Sequence, residues 1–502
     1  MRKIEGRAGP AGGIPLPGLF GTDGVRGVAN AELTPEQALR IGRAGAHHLS
    51  TASAARRTPA ERPFVVLGRD TRLSGDLLTA AVTAGCCSVG VDVVDAGIIP
   101  TPGVAFLTKG LGAAGGVVVS ASHNPVEDNG IKFFDHSGYK LSAEAEAAIE
   151  TLVRARHDRL PRPTGAAVGL RTDGRAHLEA YVNHLVALAA RPPAGQGAER
   201  GGATATPPGT PGLPAAQGGG LMGLPVVVDP AFGAAAVLAT EVLRRAGARV
   251  TAINDVCDGT RINVDCGSTN PEMLARKVVD EGAAAGLAFD GDADRVILCD
   301  EEGRIVDGDQ IMAILALDMI NRRELPKKTV VATVMSNYGL DLSLREAGGR
   351  VVRTPVGDRN VLQKMLDSGL VLGGEQSGHV IHLRHNTTGD GLAAGLAVLA
   401  VMSRSGRRLS DLASVVVRLP QVLVNVIVKE KDKLQTSEKV ATAIERARES
   451  LGHTGRVLVR PSGTEPLVRI MVEGRDAARI EAMAIELASV VAAELGGEIA
   501  RK

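Results

Sequence analysis

Three times along the chain a short β-branched apolar run leads through a turn into a longer Ala/Leu-rich stretch and then to a second apolar run. Residues 64–67, 76–85 and 91–95 form the first cycle, 226–228, 237–246 and 249–253 the second, and 330–334, 340–347 and 350–354 the third. A strand-like run, a helix-length amphipathic run and another strand-like run make a βαβ unit, so each cycle predicts a sheet with helices packed on it. Their repetition predicts related α/β domains. After Pro420 the order changes: apolar runs at 422–428, 456–460 and 468–473 surround amphipathic stretches at 437–451 and from 477 onward. That change predicts a separate C-terminal α+β module.

A chain of 502 residues is longer than one hydrophobic core usually grows, which leaves room for three or four domains with clefts between them. Its 44% hydrophobic and 23% charged residues suit a compact soluble protein. A formal net charge of +1 gives no broad basic field, so any anion must be bound by a local cluster. With no Trp and 2% aromatic residues, stacking platforms for single-stranded nucleic acid are missing. The five cysteines are odd in number and lack paired zinc spacing, and read as reduced thiols. Residues 1–18 have no apolar run of signal-peptide length, and the longest apolar stretch, 391–402, is too short to span a bilayer as a helix. The expectation is a cytoplasmic protein with neither membrane nor nucleic-acid partners. Residues 191–223 are rich in Pro, Gly, Ala and Thr without periodicity and read as a disordered linker, and 51–63 as a smaller surface insertion.

Five strings carry chemistry. In GGVVVSASHNPVEDNGIKFF, residues 115–134, an apolar run delivers Ser122 and His123 into a loop ended by Pro125. FDGDADR, 289–295, alternates Asp290, Asp292 and Asp294, so an extended segment would point three carboxylates one way. Such a cluster needs a cation, and hard oxygen donors suit magnesium or calcium. An EF-hand is excluded because Arg295 stands where that loop needs glycine and strand-like runs flank it. RPSGTEP, 460–466, followed by Arg469, offers backbone N–H groups and two arginines to a phosphate. GGEQSGH, 373–379, offers Glu375 and Ser377 to sugar hydroxyls, and TPVGDRN, 354–360, places a glycine before an Asp/Arg pair at a strand end. Each string alone also fits an ordinary turn.

In their order along the chain the strings resemble the α-D-phosphohexomutase superfamily. FGTDGVRG at 20–27, SASHNP, DNGIKFF, INVDCGSTNPE at 262–272, GGEQSGH and PQVLVNV are most similar to its phosphoglucosamine mutase branch. Gln376 points the same way, since phosphomannomutase-type members tend to carry methionine there. The resemblance implies four domains around a central cleft, three related α/β domains with mixed sheets and the α+β domain. Their expected limits are 19–190, 224–303, 304–417 and 418–502, after an N-terminal extension at 1–18.

It further implies that Ser122 is phosphorylated, and that Asp290, Asp292 and Asp294 hold one Mg2+ per subunit together with the Ser122 phosphate. Arg26, His123 and Lys132 would lie near the phosphoserine, with Lys132 or His379 as proton carrier. Gly357, Asp358, Arg359, Glu375 and Ser377 would meet the sugar. Arg460, Ser462, Gly463, Thr464 and Arg469 would hold the phosphate that is not reacting. The expected activity interconverts glucosamine 6-phosphate and glucosamine 1-phosphate, with a hexose 1,6-bisphosphate as intermediate and activator, in a homodimer whose partner is a small sugar phosphate. A phosphomannomutase or phosphoglucomutase of the same mechanism, or a sugar-phosphate binding protein without turnover, are the competing readings. The linker and VVDPAFGAA at 227–235 depart from the pattern and bear on domain spacing.

Overall fold

The computed structural model describes residues 18–21, 23–56, 58, 61–189, 220–462 and 465–500. The expected linker up to residue 219, and the expected N-terminal extension up to residue 17, lie outside them.

The first sheet has six strands in the order Val25–Val28, Asp128–Asp135, Gly115–Val119, Phe64–Arg69, Asp92–Ile98 and Arg171–Asp173. The second has five, Ile305–Val306, Val296–Asp300, Ala285–Phe289, Pro225–Asp229 and Arg249–Ala252. The third has four, Arg350–Thr354, Thr329–Thr333, Leu372–Gly374 and Val380–His382. One plan underlies all three. The opening strand of each cycle pairs in parallel with a strand on either side, and one of those neighbours then turns back as an antiparallel hairpin. The sheets are therefore mixed. The turns of the three hairpins, residues 120–127, 290–295 and 375–379, carry Ser122, the three aspartates and Glu375. Gly115–Val119, Ala285–Phe289 and Thr329–Thr333 are buried along their whole length, which is why they read as unbroken runs and not as alternating ones.

Local chemistry sets the helix limits. Thr34 and Gln37 form a reciprocal capping box at the start of Pro35–Ala52, a device that satisfies two of the donors left free in a first helical turn. The stretch read as one helix at 237–246 is instead a 3-10 turn, Ala234–Val237, and a helix, Ala239–Arg245, with Leu238 between them out of helical conformation. Residues 51–63, read as an insertion, begin inside Pro35–Ala52 and continue as the 3-10 turn Ala54–Arg56. The apolar stretch from residue 391 is the helix Gly391–Ser405, buried over most of its surface. Among the described residues no helix is long and apolar enough to cross a membrane.

A continuous apolar core runs through the second and third sheets and takes in the helix Leu178–Ala189 and Leu221. The first domain has its own core. The C-terminal domain packs the antiparallel strands Gly455–Pro461, Leu467–Gly474, Gln421–Val428 and Gly497–Ile499 under the helices Glu438–Leu451 and Ala477–Leu495, around a separate core. Polar contacts join it to the third domain. Asn337 Nδ2 donates to Leu419 O at 3.0 Å and to Glu473 Oε1 at 3.3 Å. Glu473 pairs with Arg456, which also donates to Ser336 O at 3.1 Å.

Candidate active site

Ser122 follows the buried strand Gly115–Val119 and is itself buried in the left-handed region, φ 53°. A serine there costs about 1–2 kcal/mol, so something must hold it. Its N–H donates to Ser120 Oγ at 2.9 Å, and Ser120 Oγ donates to Asp70 Oδ2 at 2.7 Å. Asp70 pairs with Arg72 at 3.0 Å, and both side chains are 0% exposed. The remaining N–H groups of Arg72 reach the carbonyls of Ser122 at 3.0 Å, Asn124 at 2.7 Å, Asp128 at 3.0 Å and Pro125. From the second domain, Asn263 Nδ2 donates to Ser122 O at 2.9 Å. A planar five-donor guanidinium is the one side chain able to serve so many acceptors at once. So clamped, Ser122 Oγ donates to Asp290 Oδ2 at 2.5 Å and stands 3.2 Å from His123 Nδ1.

Asp290, Asp292 and Asp294 offer carboxylate oxygens that lie within 4.8 Å of one another. They do not converge by alternating along an extended strand, as the sequence reading assumed. The strand stops at Phe289, and the segment turns through Ala293, φ 57°, with Ala293 N–H donating to Asp290 O at 3.0 Å. Gly291 is needed there, because a Cβ would stand 2.6 Å from Ser122 O. Asp292 Oδ2 accepts from Thr101 Oγ1 at 2.7 Å and from Lys132 Nζ at 2.9 Å. Asp292 Oδ1 and Asp294 Oδ1 are buried without a hydrogen-bond partner. Orphaned hard oxygens at the centre of a buried carboxylate cluster fit a divalent cation such as Mg2+. Burial, with Asp294 and Asp292 beside it, pushes the Asp290 carboxyl well above its ordinary range. At Asp294 burial acts in the same direction but is outweighed by His379, Lys132 and Arg295, which hold that carboxyl low.

Beside this cluster lies a cavity of about 430 Å³ lined by, among others, Arg26, His123, Asp294, Arg295, Gly357, Glu375 and His379. A chain of opposite charges ties the walls together. Asp23 meets Arg26, Lys132 at 2.9 Å and Lys140 at 2.6 Å, and Lys140 continues to Asp358 at 2.5 Å. His379 stands between Asp294 at 3.5 Å and Asp358 at 3.7 Å. Burial, with Arg295 and Arg26 nearby, pushes His123 down to about 4, so its ring is neutral at neutral pH. Glu375 Oε1 accepts from Gly357 N–H at 3.0 Å, and Ser377 Oγ donates to its other oxygen at 3.4 Å. Arg359 turns to Glu146 of the first domain at 2.6 Å.

The C-terminal motif stands apart. Arg460 reaches Met335 Sδ at 4.0 Å, Arg469 pairs with Glu465 at 2.9 Å, and Ser462 O accepts from Lys431 at 2.8 Å. Gly463 and Thr464 lie outside the described residues. Among the described residues, the cavity is walled by the first three domains.

Sequence models of the phosphoglucomutase/phosphomannomutase family match four successive stretches: α/β/α domain I at 17–159, domain II at 215–303, domain III at 307–419 and the C-terminal domain at 423–490. The chain belongs to the phosphoglucomutase/phosphomannomutase family. It is 54% identical over 463 residues to the phosphoglucosamine mutase of Moorella thermoacetica, covering 92% of this chain and 96% of that one. It is 50% identical over 481 residues to the phosphoglucosamine mutase of Symbiobacterium thermophilum, covering 96% and 100%. A crystal structure of a phosphoglucomutase/phosphomannomutase family protein from Burkholderia thailandensis superposes with a TM-score of 0.76 at 25% identity, covering 95% of this chain and 98% of that one.

Within this family member the structure brings Arg26, His123, Asp294, Glu375 and His379 to one cavity, and buries Ser122, Lys132, Asp290 and Asp292 in a connected cluster that includes Asp294. It also shows residues that the sequence reading missed. Asp70 and Arg72 clamp the serine loop, Asp23 and Lys140 tie the walls, and Thr101 holds Asp292. A signal existed for the first pair, since residues 70–72 follow the C-terminal end of the parallel strand Phe64–Arg69, where open α/β sheets keep their ligands.

Proposed function

We propose that the protein interconverts glucosamine 6-phosphate and glucosamine 1-phosphate, with Ser122 as the residue that carries the phosphoryl group. The observation that carries this reading is the buried Ser122 hydroxyl, held 2.5 Å from Asp290 of the three-aspartate turn and 3.2 Å from His123, which lines a cavity together with Arg26, Asp294 and Arg295. The restriction to an amino sugar rests on its similarity to the phosphoglucosamine mutases.

Asp290, Asp292 and Asp294, with the Ser122 phosphate, would hold one Mg2+ per subunit. When bound, that ion neutralises negative charge on the phosphoryl oxygens. Lys132 is almost completely buried between Asp23 and Asp292, and serves as fixed positive charge under the transferring group. Arg26 and Arg295, on the cavity wall, add charge from the open side. His379 also faces the cavity and is the better placed of the two candidate proton carriers. Glu375 and Ser377, with Gly357, Asp358 and Arg359, orient the sugar hydroxyls.

Phosphoserine 122 gives its phosphoryl group to the free hydroxyl of the hexosamine phosphate: the bond to Ser122 Oγ breaks as the bond to the sugar oxygen forms, and the hydroxyl's proton passes, with His379 as carrier, to the Ser122 oxygen that leaves. The resulting 1,6-bisphosphate turns end over end and returns its other phosphoryl group to Ser122. The non-reacting phosphate is held by Arg460, Ser462, Gly463, Thr464 and Arg469 of the C-terminal domain, which must come over the cavity to do so. A hexose 1,6-bisphosphate also restores dephosphorylated enzyme, and the reactants are diffusible metabolites of the cytoplasm.

The test is turnover of glucosamine 6-phosphate against glucose and mannose 1-phosphates, with Mg2+ and catalytic bisphosphate present. A strong preference for glucosamine 6-phosphate supports the proposal. Preference for mannose or glucose phosphates keeps the phosphoserine and removes the amino-sugar assignment, and no turnover on any of them overturns the enzymatic reading.

A further inference from the structure

We infer that Thr101 is a positioning residue for the cation site: it fixes which oxygen of Asp292 faces the metal. The inference rests on the reading of the three aspartates as a Mg2+ site.

Thr101 is the first residue of the helix Thr101–Gly110 and is completely buried. It belongs to the first domain, while Asp292 belongs to the second. Two hydrogen bonds join them: Thr101 N–H donates to Asp292 O at 2.9 Å, and Thr101 Oγ1 donates to Asp292 Oδ2 at 2.7 Å. The same Oδ2 accepts from Lys132 Nζ at 2.9 Å. With both donors on one oxygen, the carboxylate cannot rotate without breaking two buried hydrogen bonds. Its other oxygen, Oδ1, is buried and has no hydrogen-bond partner, which leaves it as the free oxygen of a residue whose carboxylate clusters with those of Asp290 and Asp294. Outer-sphere donors of this kind orient carboxylate ligands and set metal affinity.

The support behind Thr101 is rigid. It stands between Pro100 and Pro102, whose fixed backbone angles suit the entry to a helix. Pro102 O accepts from Asn386 Nδ2 of the third domain at 3.1 Å. Asn386 Nδ2 also donates to Asp390 Oδ2 at 2.9 Å, as does Tyr181 OH at 2.9 Å. Three domains therefore meet at residues 100–102, and the hydroxyl that holds Asp292 sits at their junction.

The experiment is Mg2+ binding by titration calorimetry to the full chain, with wild type, Thr101→Val, Thr101→Ala and Thr101→Ser. Valine keeps the shape and drops the hydroxyl, alanine drops it with less volume, and serine keeps it. All three retain the backbone bond to Asp292. The expected result is a dissociation constant raised roughly 10- to 100-fold in whichever hydroxyl-free variants fold, with the serine variant near wild type. Equal Mg2+ affinity in wild type and a folded hydroxyl-free variant overturns the inference and leaves the metal site standing. An equal loss in the serine variant overturns it too, because the hydroxyl is then not what matters. A wild type that binds no Mg2+ overturns both this inference and the reading beneath it.

Discussion

Replacing Arg72 with Met tests whether the serine loop is built on a buried guanidinium. Arg72 is completely buried, pairs with an equally buried Asp70, and donates to four loop carbonyls. Removing one partner of a buried, hydrogen-bonded ion pair costs about 3–5 kcal/mol. For a domain of this size each kcal/mol lowers the melting temperature by roughly 2–4 °C, so the first domain should melt about 6–20 °C lower. Asp70, already pushed up by burial against the pull of Arg72, would take up a proton and relieve part of the charge imbalance. The carbonyls of Ser122, Asn124, Pro125 and Asp128 have no such escape. A double variant, Asp70→Asn with Arg72→Met, should therefore recover only a fraction of the loss. Differential scanning calorimetry of wild type and these variants is the assay. If Arg72→Met melted within about 2 °C of wild type, below ~1 kcal/mol, the clamp would not be what holds the loop.

Asp309 accepts from Asn337 N–H at 2.7 Å, and burial with Asp307 nearby pushes its carboxyl up to about 7. The unfolded chain releases that proton near pH 4 and the folded one near 7, so stability falls as pH rises through this window, by up to about 4 kcal/mol. Asp309→Asn should raise the melting temperature at pH 8 and leave it little changed at pH 4.5; an equal effect at both would refute the assignment. His382 and His385 stack at 3.8 Å, and burial, with neighbouring positive charge, pushes them down to about 4 and about 3. Unfolded histidines take up protons near pH 6.5, so stability is lost as pH falls from there toward 4. Urea unfolding at pH 7 and pH 5 should show the loss, and His385→Gln should reduce it. Ser122→Ala should abolish turnover with circular dichroism and melting near wild type, and full activity in that variant would remove Ser122 from the chemistry.

What was legible in the sequence was what is local. The strands that open each cycle, the Ser122 loop and the aspartate turn are contiguous strings whose residue types announce their chemistry. Thr101 and Asp292 are 191 residues apart, and Lys140 and Asp358 are 218 apart, so no window of sequence contains either pair. The clamp at Arg72 is hidden for a related reason, since its acceptors are backbone carbonyls and leave no mark on the side chains around it. The strand Gly497–Ile499 is short and exposed, without the apolar pattern by which the others were read. For the aspartates, period-two spacing predicts an extended segment, whereas Gly291 and Ala293 bend it into a turn.

The join at Asn337, Glu473 and Arg456 has a thermal consequence. Unfolding or opening an apolar seam raises heat capacity, because water must order around the surface released. If these hydrogen bonds and this ion pair are what a re-aimed C-terminal domain exchanges, little such surface is released and the move should carry a heat-capacity change near zero. The enthalpy of such a move then stays nearly constant from cold to warm, and curvature in an Arrhenius plot of turnover would have to come from the bond-making steps.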